Sequence, residues 1–306
     1  MIEMTITTQQ SRWTRYELQI ALIDGLFQPQ KKISRADLQR RQIDAYYDWR
    51  NNGQLYPKAI HLQLIAPYLG VEAETVLLSL LSIAEAEQSG SFCDFTARDD
   101  AVPMLLEPEQ DAQSKKIGVI QTTRYAVLKA AGMSDSQPSY DRLTYYLRQL
   151  SQVWIYYANM VSGWEGNDGF LKYRLNKKTD KLMVQINWRL AGAVFGDYLR
   201  AYIDLRERHQ LKTAGAKTLH RWLSAHIWPG KSSTLHYETL VSHIWPDTGT
   251  TGTASAHRVR IHRLKHDILP GLAQLPQWEL TPALHTVQIA RQNNPRLSVS
   301  QSSSTP

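Results

Sequence analysis

The stretch ASAHRVRIHRLKHDIL, from Ala254 to Leu269, decides the fold because its side chains divide between two faces of a helix. At about 100° per residue, Ile261, Leu264 and Ile268 share one narrow apolar stripe, which predicts the face that packs inward. The rest of the surface is basic, and Asp267 is the only acid in the stretch. A helix of this kind offers cations to a partner.

Arginine side chains on such a face can donate paired hydrogen bonds to guanine or neutralise phosphates, so we expect this helix to contact DNA. An ordinary solvated helix face is the alternative, although such faces usually interleave acids with the basic residues. Val259 can meet a thymine methyl group or can be a simple exposed valine. The candidate DNA-binding residues here are Ser255, His257, Arg258, Val259, Arg260, His262, Arg263, Lys265 and, nearer the N-terminus, Lys231.

The flanking sequence supplies the other parts of a winged helix. Helical spacing predicts helices over Thr213–Ile227 and Leu235–Trp245, and the basic helix is expected to close at Pro270-Gly271. Two short β-rich runs follow, Trp278–Thr281 and Thr286–Ala290, and are suited to a wing.

The same arrangement recurs earlier in the chain. Helices are predicted over Thr122–Ala131 and Ser139–Ser151, and three β-rich runs follow, over Val153–Met160, Phe170–Leu175 and Leu182–Trp188. The fold class predicted is therefore α+β with two tandem winged-helix domains. The candidate contacts of the first copy are Arg142, Tyr145, Tyr146, Arg148 and, in the turn before the last run, Lys177 and Lys178. DNA contact and a protein interface are equally open for this face, since exposed tyrosine suits both.

The remaining segments set the predicted domain limits. We expect an amphipathic helix over residues 12–30, a hairpin over Asp44–Tyr56 that turns at Asn51-Asn52-Gly53, and helices over Ile60–Tyr68 and Glu72–Glu87. An acidic connector occupies about residues 88–112, and residues 293–306 are predicted to be a disordered tail. The expected domains are residues 1–204 and 205–292.

The charge of the chain is concentrated in one part of it. The 306 residues carry 35 Lys or Arg and 28 acids, a formal charge of +7. Residues 206–266 hold ten of these basic residues and three of the acids, so this segment accounts for the whole excess. A polyanion is the natural partner. We also expect residues 205–292 to form a separable module that binds DNA weakly, with residues 1–204 adding affinity and self-association.

Composition and missing motifs exclude several classes of protein. The single cysteine, Cys93, rules out an internal disulfide framework, and neither a membrane span nor a signal peptide is recognisable, so we expect a cytoplasmic protein. Gly230-Lys231-Ser232 lacks the earlier glycine of a phosphate-binding loop, because Ala225 stands there. His262 and His266 have a metal-binding spacing but belong more naturally to the basic face. We therefore expect no enzyme activity, no cofactor and no metal.

Several short runs resemble a known family. The runs Ala201–Leu205, Gln210–Thr213 and Leu219–Leu223 resemble the junction between the two winged helices of iteron-binding plasmid replication initiators. The later runs Tyr237–Leu240, Ile244–Pro246, Arg258–Arg263 and Leu269–Leu272 are similar to the C-terminal half of the RepC initiator of IncQ-type plasmids. Looser similarity extends over nearly the whole chain.

This resemblance implies a function. Proteins of this kind bind direct repeats, called iterons, in double-stranded DNA at a plasmid replication origin, open adjacent AT-rich DNA and recruit plasmid or host helicase and primase. It also implies self-association as a dimer and a part in plasmid copy control. Arg258, Arg260 and Arg263 carry over as basic positions of the last helix. The alternative is a winged-helix transcriptional regulator that binds a promoter operator.

Overall fold

The computed structural model describes residues 13–29, 41–51, 54–86, 92–93, 117–195, 200–246 and 254–293. The helices are α1 (Leu18–Leu22), α2 (Val71–Ala86), α3 (Arg124–Ala130), α4 (Gln137–Leu150), α5 (Trp188–Phe195), α6 (Leu205–Gln210), α7 (Ala214–His226), α8 (Tyr237–Ile244), α9 (Ala254–Arg263) and α10 (Leu269–Ala273). The strands are β1 (Trp13–Glu17), β2 (Phe27–Gln28), β3 (Arg41–Asn51), β4 (Gln54–Ala66), β5 (Leu69–Gly70), β6 (Phe92–Cys93), β7 (Ile117–Thr123), β8 (Trp154–Asn159), β9 (Trp164–Gly169), β10 (Leu171–Asn176), β11 (Lys181–Ile186), β12 (Arg200–Asp204), β13 (Ser232–His236), β14 (Trp278–Pro282) and β15 (Thr286–Arg291). The architecture is a mixture of α and β.

The C-terminal part packs α7, α8 and the α9–α10 helix against a three-stranded sheet in the order β13-β15-β14. Helix α7 begins where predicted, because the Thr213 side chain accepts a hydrogen bond from the Ala216 N–H at 3.1 Å. The predicted apolar stripe is confirmed, since Leu264 and Ile268 are buried and Ile261 is partly buried. Strand β13 was not predicted, because Leu235 is the only apolar residue in its sequence SSTLH.

The long helix does not end at Pro270-Gly271, so that prediction is wrong. A π-helical turn, Leu264–Ile268, joins α9 to α10, and the helix continues to Ala273. Within this turn the Leu269 N–H bonds to the Leu264 carbonyl. Pro270 then lies in the first turn of α10, the part of a helix in which proline is best tolerated.

The N-terminal part repeats the same order of elements. The corresponding elements of the N-terminal part come in the order α2, β7, α3, α4, β10 and β11. Those of the C-terminal part come in the order α7, β13, α8, α9–α10, β14 and β15. In both parts the last strand lies between the other two, since β11 pairs with β7 and β10, and β15 pairs with β13 and β14.

The expected first wing is only partly right. The hairpin of β10 and β11 turns at residues 177–180, as predicted. The run Val153–Met160, in contrast, forms β8 in a second sheet with the order β3-β4-β8-β9. Strand β9 in that sheet was missed, because its sequence WEGNDG lacks β-forming residues after the tryptophan.

Two predicted helices near the N-terminus are wrong. Residues 13–28 form β1, the short helix α1 and β2, because β1 pairs antiparallel with β12, nearly two hundred residues away. The run Ile60–Tyr68 lies mostly in β4, where Leu62, Leu64 and Ala66 alternate toward the core between β3 and β8.

The other predictions for this region hold where they can be compared. The β3–β4 hairpin is confirmed by the pairing of Asn51 with Gln54, and α2 and α3 lie where expected. Most of the acidic connector and residues 294–306 lie outside the described residues, but Phe92–Cys93 within the connector pair with β7. Among the described helices, none is long and apolar enough to span a membrane.

Candidate nucleic-acid interface

Helix α9 presents most of the predicted contact residues on one exposed surface. None of its residues is buried, although Arg260 is partly covered. Val259 keeps 47% of its surface exposed, and the rings of His262 and His266 lie 4.3 Å apart. The exposed members of the predicted set on this helix are Ser255, His257, Arg258, Val259, His262 and Arg263, and His266 in the next turn is also exposed. This surface can meet an extended anion without first moving protein away.

Lys265 is placed differently from the other basic residues of the helix. Its Nζ atom lies 4.0 Å from the centre of the Tyr237 ring and donates a 3.4 Å hydrogen bond to the Leu284 carbonyl. The side chain is therefore directed toward the turn between β14 and β15 rather than away from the protein.

That turn, residues 283–285, lies beside the helix, and all three of its residues are exposed. The sequence interpretation missed its side chains as part of the surface. Leu284 is 79% exposed and His285 is also exposed. An apolar residue at the tip of a turn between two strands was the available signal, since such tips are usually polar. The turn extends the exposed surface of α9.

Lys231 is exposed but lies at the other end of the sheet. The β13 residue nearest the turn is His236, which pairs with Thr286, whereas the Lys231 carbonyl accepts from the Arg291 N–H at 2.9 Å. Five residues of strand separate the two ends, about 17 Å. The structure thus does not bring Lys231 together with α9.

The predicted face of α4 is a weaker cationic surface. Arg142, Tyr145 and Arg148 are all exposed, and the Arg142 Nη2 atom donates to the Ser139 hydroxyl of the same helix at 3.1 Å. The Tyr145 hydroxyl accepts from Gln149 at 3.0 Å. Tyr146 is partly buried against the core, and burial raises the pKa of its hydroxyl.

The β10–β11 turn adds two exposed lysines, Lys177 and Lys178. The Asn176 side chain accepts from the Lys178 N–H at 3.0 Å and shapes the start of the turn. Asp180 ends the turn with φ of +54°, a left-handed conformation that Asp adopts more readily than most residues. Its carboxylate pairs with Arg124 Nε at 2.5 Å.

Two of the arginines that we counted toward a polyanion partner are instead buried, which corrects that part of the charge argument. Arg208 and Arg221 are both 0% exposed, and each pairs with Glu74 of α2, at 2.5 Å and 3.0 Å. Sequence composition reports charge but not burial. Fewer of the ten basic residues of this segment are therefore available to DNA than their number in the sequence indicates, and α9 carries a larger share of those that are.

A second buried polar group holds the C-terminal sheet to the helices. His220 is buried, and burial lowers the pKa of its imidazole, so the neutral ring donates from Nε2 to Glu207 at 3.1 Å. The Trp278 indole N–H donates to the same carboxylate at 3.1 Å. Burial alone raises the pKa of Glu207, but these bonds and the nearby positive charge of Arg291 together outweigh burial and lower it.

No metal site forms within the described ranges, since no three His, Cys, Asp or Glu side chains there are close enough to share an ion.

Comparison with known proteins places the chain in a family. The family model for replication protein C (RepC) matches residues 8–282, and the chain belongs to this family. Membership gives the protein a role in the initiation of replication and implies that it binds DNA.

The comparison with solved structures matched two crystal structures of domains 2 and 3 of RctB. The first has a TM-score of 0.47 and 9% identity, and the match covers 90% of this chain and 98% of that one. The second has a TM-score of 0.46 and 9% identity, with 90% and 96% covered. No curated protein sequence matched.

Proposed function

We propose that this protein binds direct repeats in a plasmid replication origin through two winged-helix domains, residues 1–204 and 205–292. The observation that carries the proposal is the exposed basic surface of α9 beside the β14–β15 turn. The repeated order of helices and strands in the two parts supports the tandem assignment.

In this proposal α9 lies in the major groove and the β14–β15 turn is the wing. Arg258 and Arg263 are exposed and can donate paired hydrogen bonds to guanine O6 and N7, and Val259 can contact a thymine methyl group. Helix α4, with the β10–β11 turn, takes the corresponding place in the first domain. Two such helices on successive turns of one duplex face lie about 34 Å apart.

The later steps of initiation follow from the same proposal. Binding to the repeats positions the protein for opening adjacent AT-rich DNA and for recruiting helicase and primase. The proposal also includes self-association of the protein as a dimer and a part in the control of plasmid copy number. The protein acts here as a cytoplasmic DNA-binding protein and not as an enzyme.

The test is equilibrium binding of the full chain to three duplexes of equal length. One carries the direct repeats of the plasmid origin, one a scrambled sequence of the same composition, and one a promoter operator with a single site. We expect the repeat duplex to bind most tightly, by at least about a hundredfold over the scrambled duplex. Preferential binding to the operator would contradict the proposal and identify a transcriptional regulator instead.

A further inference from the structure

The first residue of α8 contacts both the β14–β15 turn and the long basic helix. The Tyr237 hydroxyl donates to the Ala283 carbonyl at 3.0 Å, and the Tyr237 N–H donates to the His285 carbonyl at 3.2 Å. The ring of Tyr237 lies under the Lys265 ammonium group at 4.0 Å. Lys265 in turn donates to the Leu284 carbonyl. All three carbonyls of the turn are therefore bonded to α8 or to the basic helix.

The first residue of α3 makes the corresponding contacts in the N-terminal part. Arg124 pairs with Asp180 in the β10–β11 turn, and its guanidinium carbon lies 4.8 Å from the centre of the Tyr140 ring in α4. The chemistry is exchanged between the two parts. In the N-terminal part, α3 supplies the cation and α4 the aromatic ring. In the C-terminal part, α8 supplies the ring and the long basic helix supplies the cation.

These contacts differ from ordinary core packing because they join the two exposed surfaces that the proposed function assigns to DNA. The Leu284 side chain points into solvent although its backbone carbonyl is bonded. A cation over an aromatic face is attracted by the ring quadrupole, so each contact restrains the turn relative to the helix. A turn that is already held against the helix loses less conformational freedom when the protein binds DNA, so the entropy cost of binding is smaller.

We infer that Tyr237 with Lys265, and Arg124 with Tyr140, are positioning residues that fix each wing to its DNA-reading helix, so that wing and helix engage the duplex as one preformed unit. This inference rests on the proposed function. Lys265, predicted from the sequence as a DNA contact, acts here through the turn.

The experiment compares full-length variants by affinity for the repeat duplex and by hydroxyl-radical footprinting of the bound DNA. Lys265→Met removes the cation and keeps the length of the side chain, whereas Lys265→Arg restores a cation. Because Lys265 is only partly buried, neither change threatens the fold, and thermal unfolding checks this. Lys129→Met, an exposed lysine of α3 that belongs to neither set of candidate DNA contacts, is the matched control.

We expect Lys265→Met to lose protection at the edge of the site that the wing covers while the groove contacted by α9 stays protected. Its affinity should fall roughly five- to tenfold, and Lys265→Arg should recover most of that loss. Tyr237→Phe, which keeps the ring but loses the hydroxyl bond, should show an intermediate effect. The control should match the parent in both measurements.

For the first part, Arg124→Met should shorten the footprint of the N-terminal domain, and Lys129→Met on the same helix should not. A complete footprint at parental affinity for Lys265→Met and Arg124→Met would overturn the inference while leaving the proposed function intact. Loss of affinity in Lys265→Met with uniform loss of protection across the site would also overturn it, whether or not Lys265→Arg recovers the affinity, because the wing would then not be the part that is released. Failure of the parent to prefer the repeat duplex would instead reject the proposed function.

Discussion

At the scale of single residues, Asp168 shows how burial sets a measurable pH dependence. Its carboxylate accepts a 2.5 Å hydrogen bond from the Asn187 amide, and burial raises its pKa to about 6. Because this exceeds the unfolded value of about 3.9, the folded state binds the proton more tightly. The stabilisation is present below about pH 4 and is lost as the pH rises through about 6.

Asp168→Asn removes this titration and keeps an oxygen for Asn187 to donate to. We expect the variant to match the parent near pH 4 and to be more stable by about 1 to 3 kcal/mol above pH 6.5. Urea unfolding at several pH values measures the difference. A constant difference across that range would show that Asp168 is not the titrating group.

The same scale shows what sequence could and could not predict about the candidate site. The exposed surface of Arg258, Val259 and Arg263 follows from helical spacing, because a single helix face is a local property. The burial of Arg208 and Arg221 does not, since it depends on Glu74, which is more than 130 residues away in the chain. The direction of Lys265 depends in the same way on the β14–β15 turn.

At the scale of elements, local patterns predicted the helices better than the strands. Helices α2, α4 and α7 have caps or periodic apolar residues within their own sequence. The run in β4 also fits a helical spacing, and only its pairing with β3 and β8 makes it a strand. Strand formation by residues 13–17 likewise requires β12. Long-range pairing outweighed local propensity in both cases.

The π-helical turn gives a prediction at this scale. A proline inside a regular helix costs about 3 kcal/mol, so replacing it by alanine would normally stabilise the protein by that amount. Pro270 lies in the first turn of α10 and is exposed, so we expect Pro270→Ala to change the free energy of unfolding by less than about 1 kcal/mol. Chemical denaturation provides the measurement, and a stabilisation near 3 kcal/mol would be inconsistent with this placement.

At the scale of the whole molecule, Glu74 joins the two parts of the chain. It lies in α2, and its carboxylate pairs with Arg208 and Arg221 from α6 and α7, all fully buried. Glu74→Gln leaves two buried cations without their anion, which we expect to destabilise the protein by about 3 to 5 kcal/mol. Glu72→Gln, two residues earlier in α2 and exposed, is the control. Equal unfolding midpoints for the two variants would contradict a central role for this cluster.

This cluster also bears on the proposed domain boundary. A cut after residue 204 separates Glu74 from both arginines, so a fragment of residues 205–292 would keep Arg208 and Arg221 without their partner. Experiments on DNA binding are therefore best made with the full chain.

The salt dependence of binding is a further property of the whole molecule. Each phosphate that a Lys or Arg neutralises releases counterions, so the logarithm of the association constant should fall by about 0.9 per contact for each unit of log salt. We expect the association constant to fall steeply between about 50 and 200 mM salt, the range over which several phosphate contacts produce a large loss of affinity. A flat response in fluorescence anisotropy would mean that the basic surfaces do not face DNA.

The central claim is that α9 reads the repeat sequence. The most direct test measures the affinity of the full chain for the repeat duplex and for the scrambled duplex in three variants, Arg258→Ala, Arg263→Ala and Lys212→Ala. All three side chains are exposed, but only the two arginines lie on α9. Each arginine change should cost about 1 to 3 kcal/mol on the repeat and little on the scrambled duplex, whereas Lys212→Ala should weaken both slightly and alike. Parental affinity and parental preference for the repeat in both arginine variants would contradict the claim.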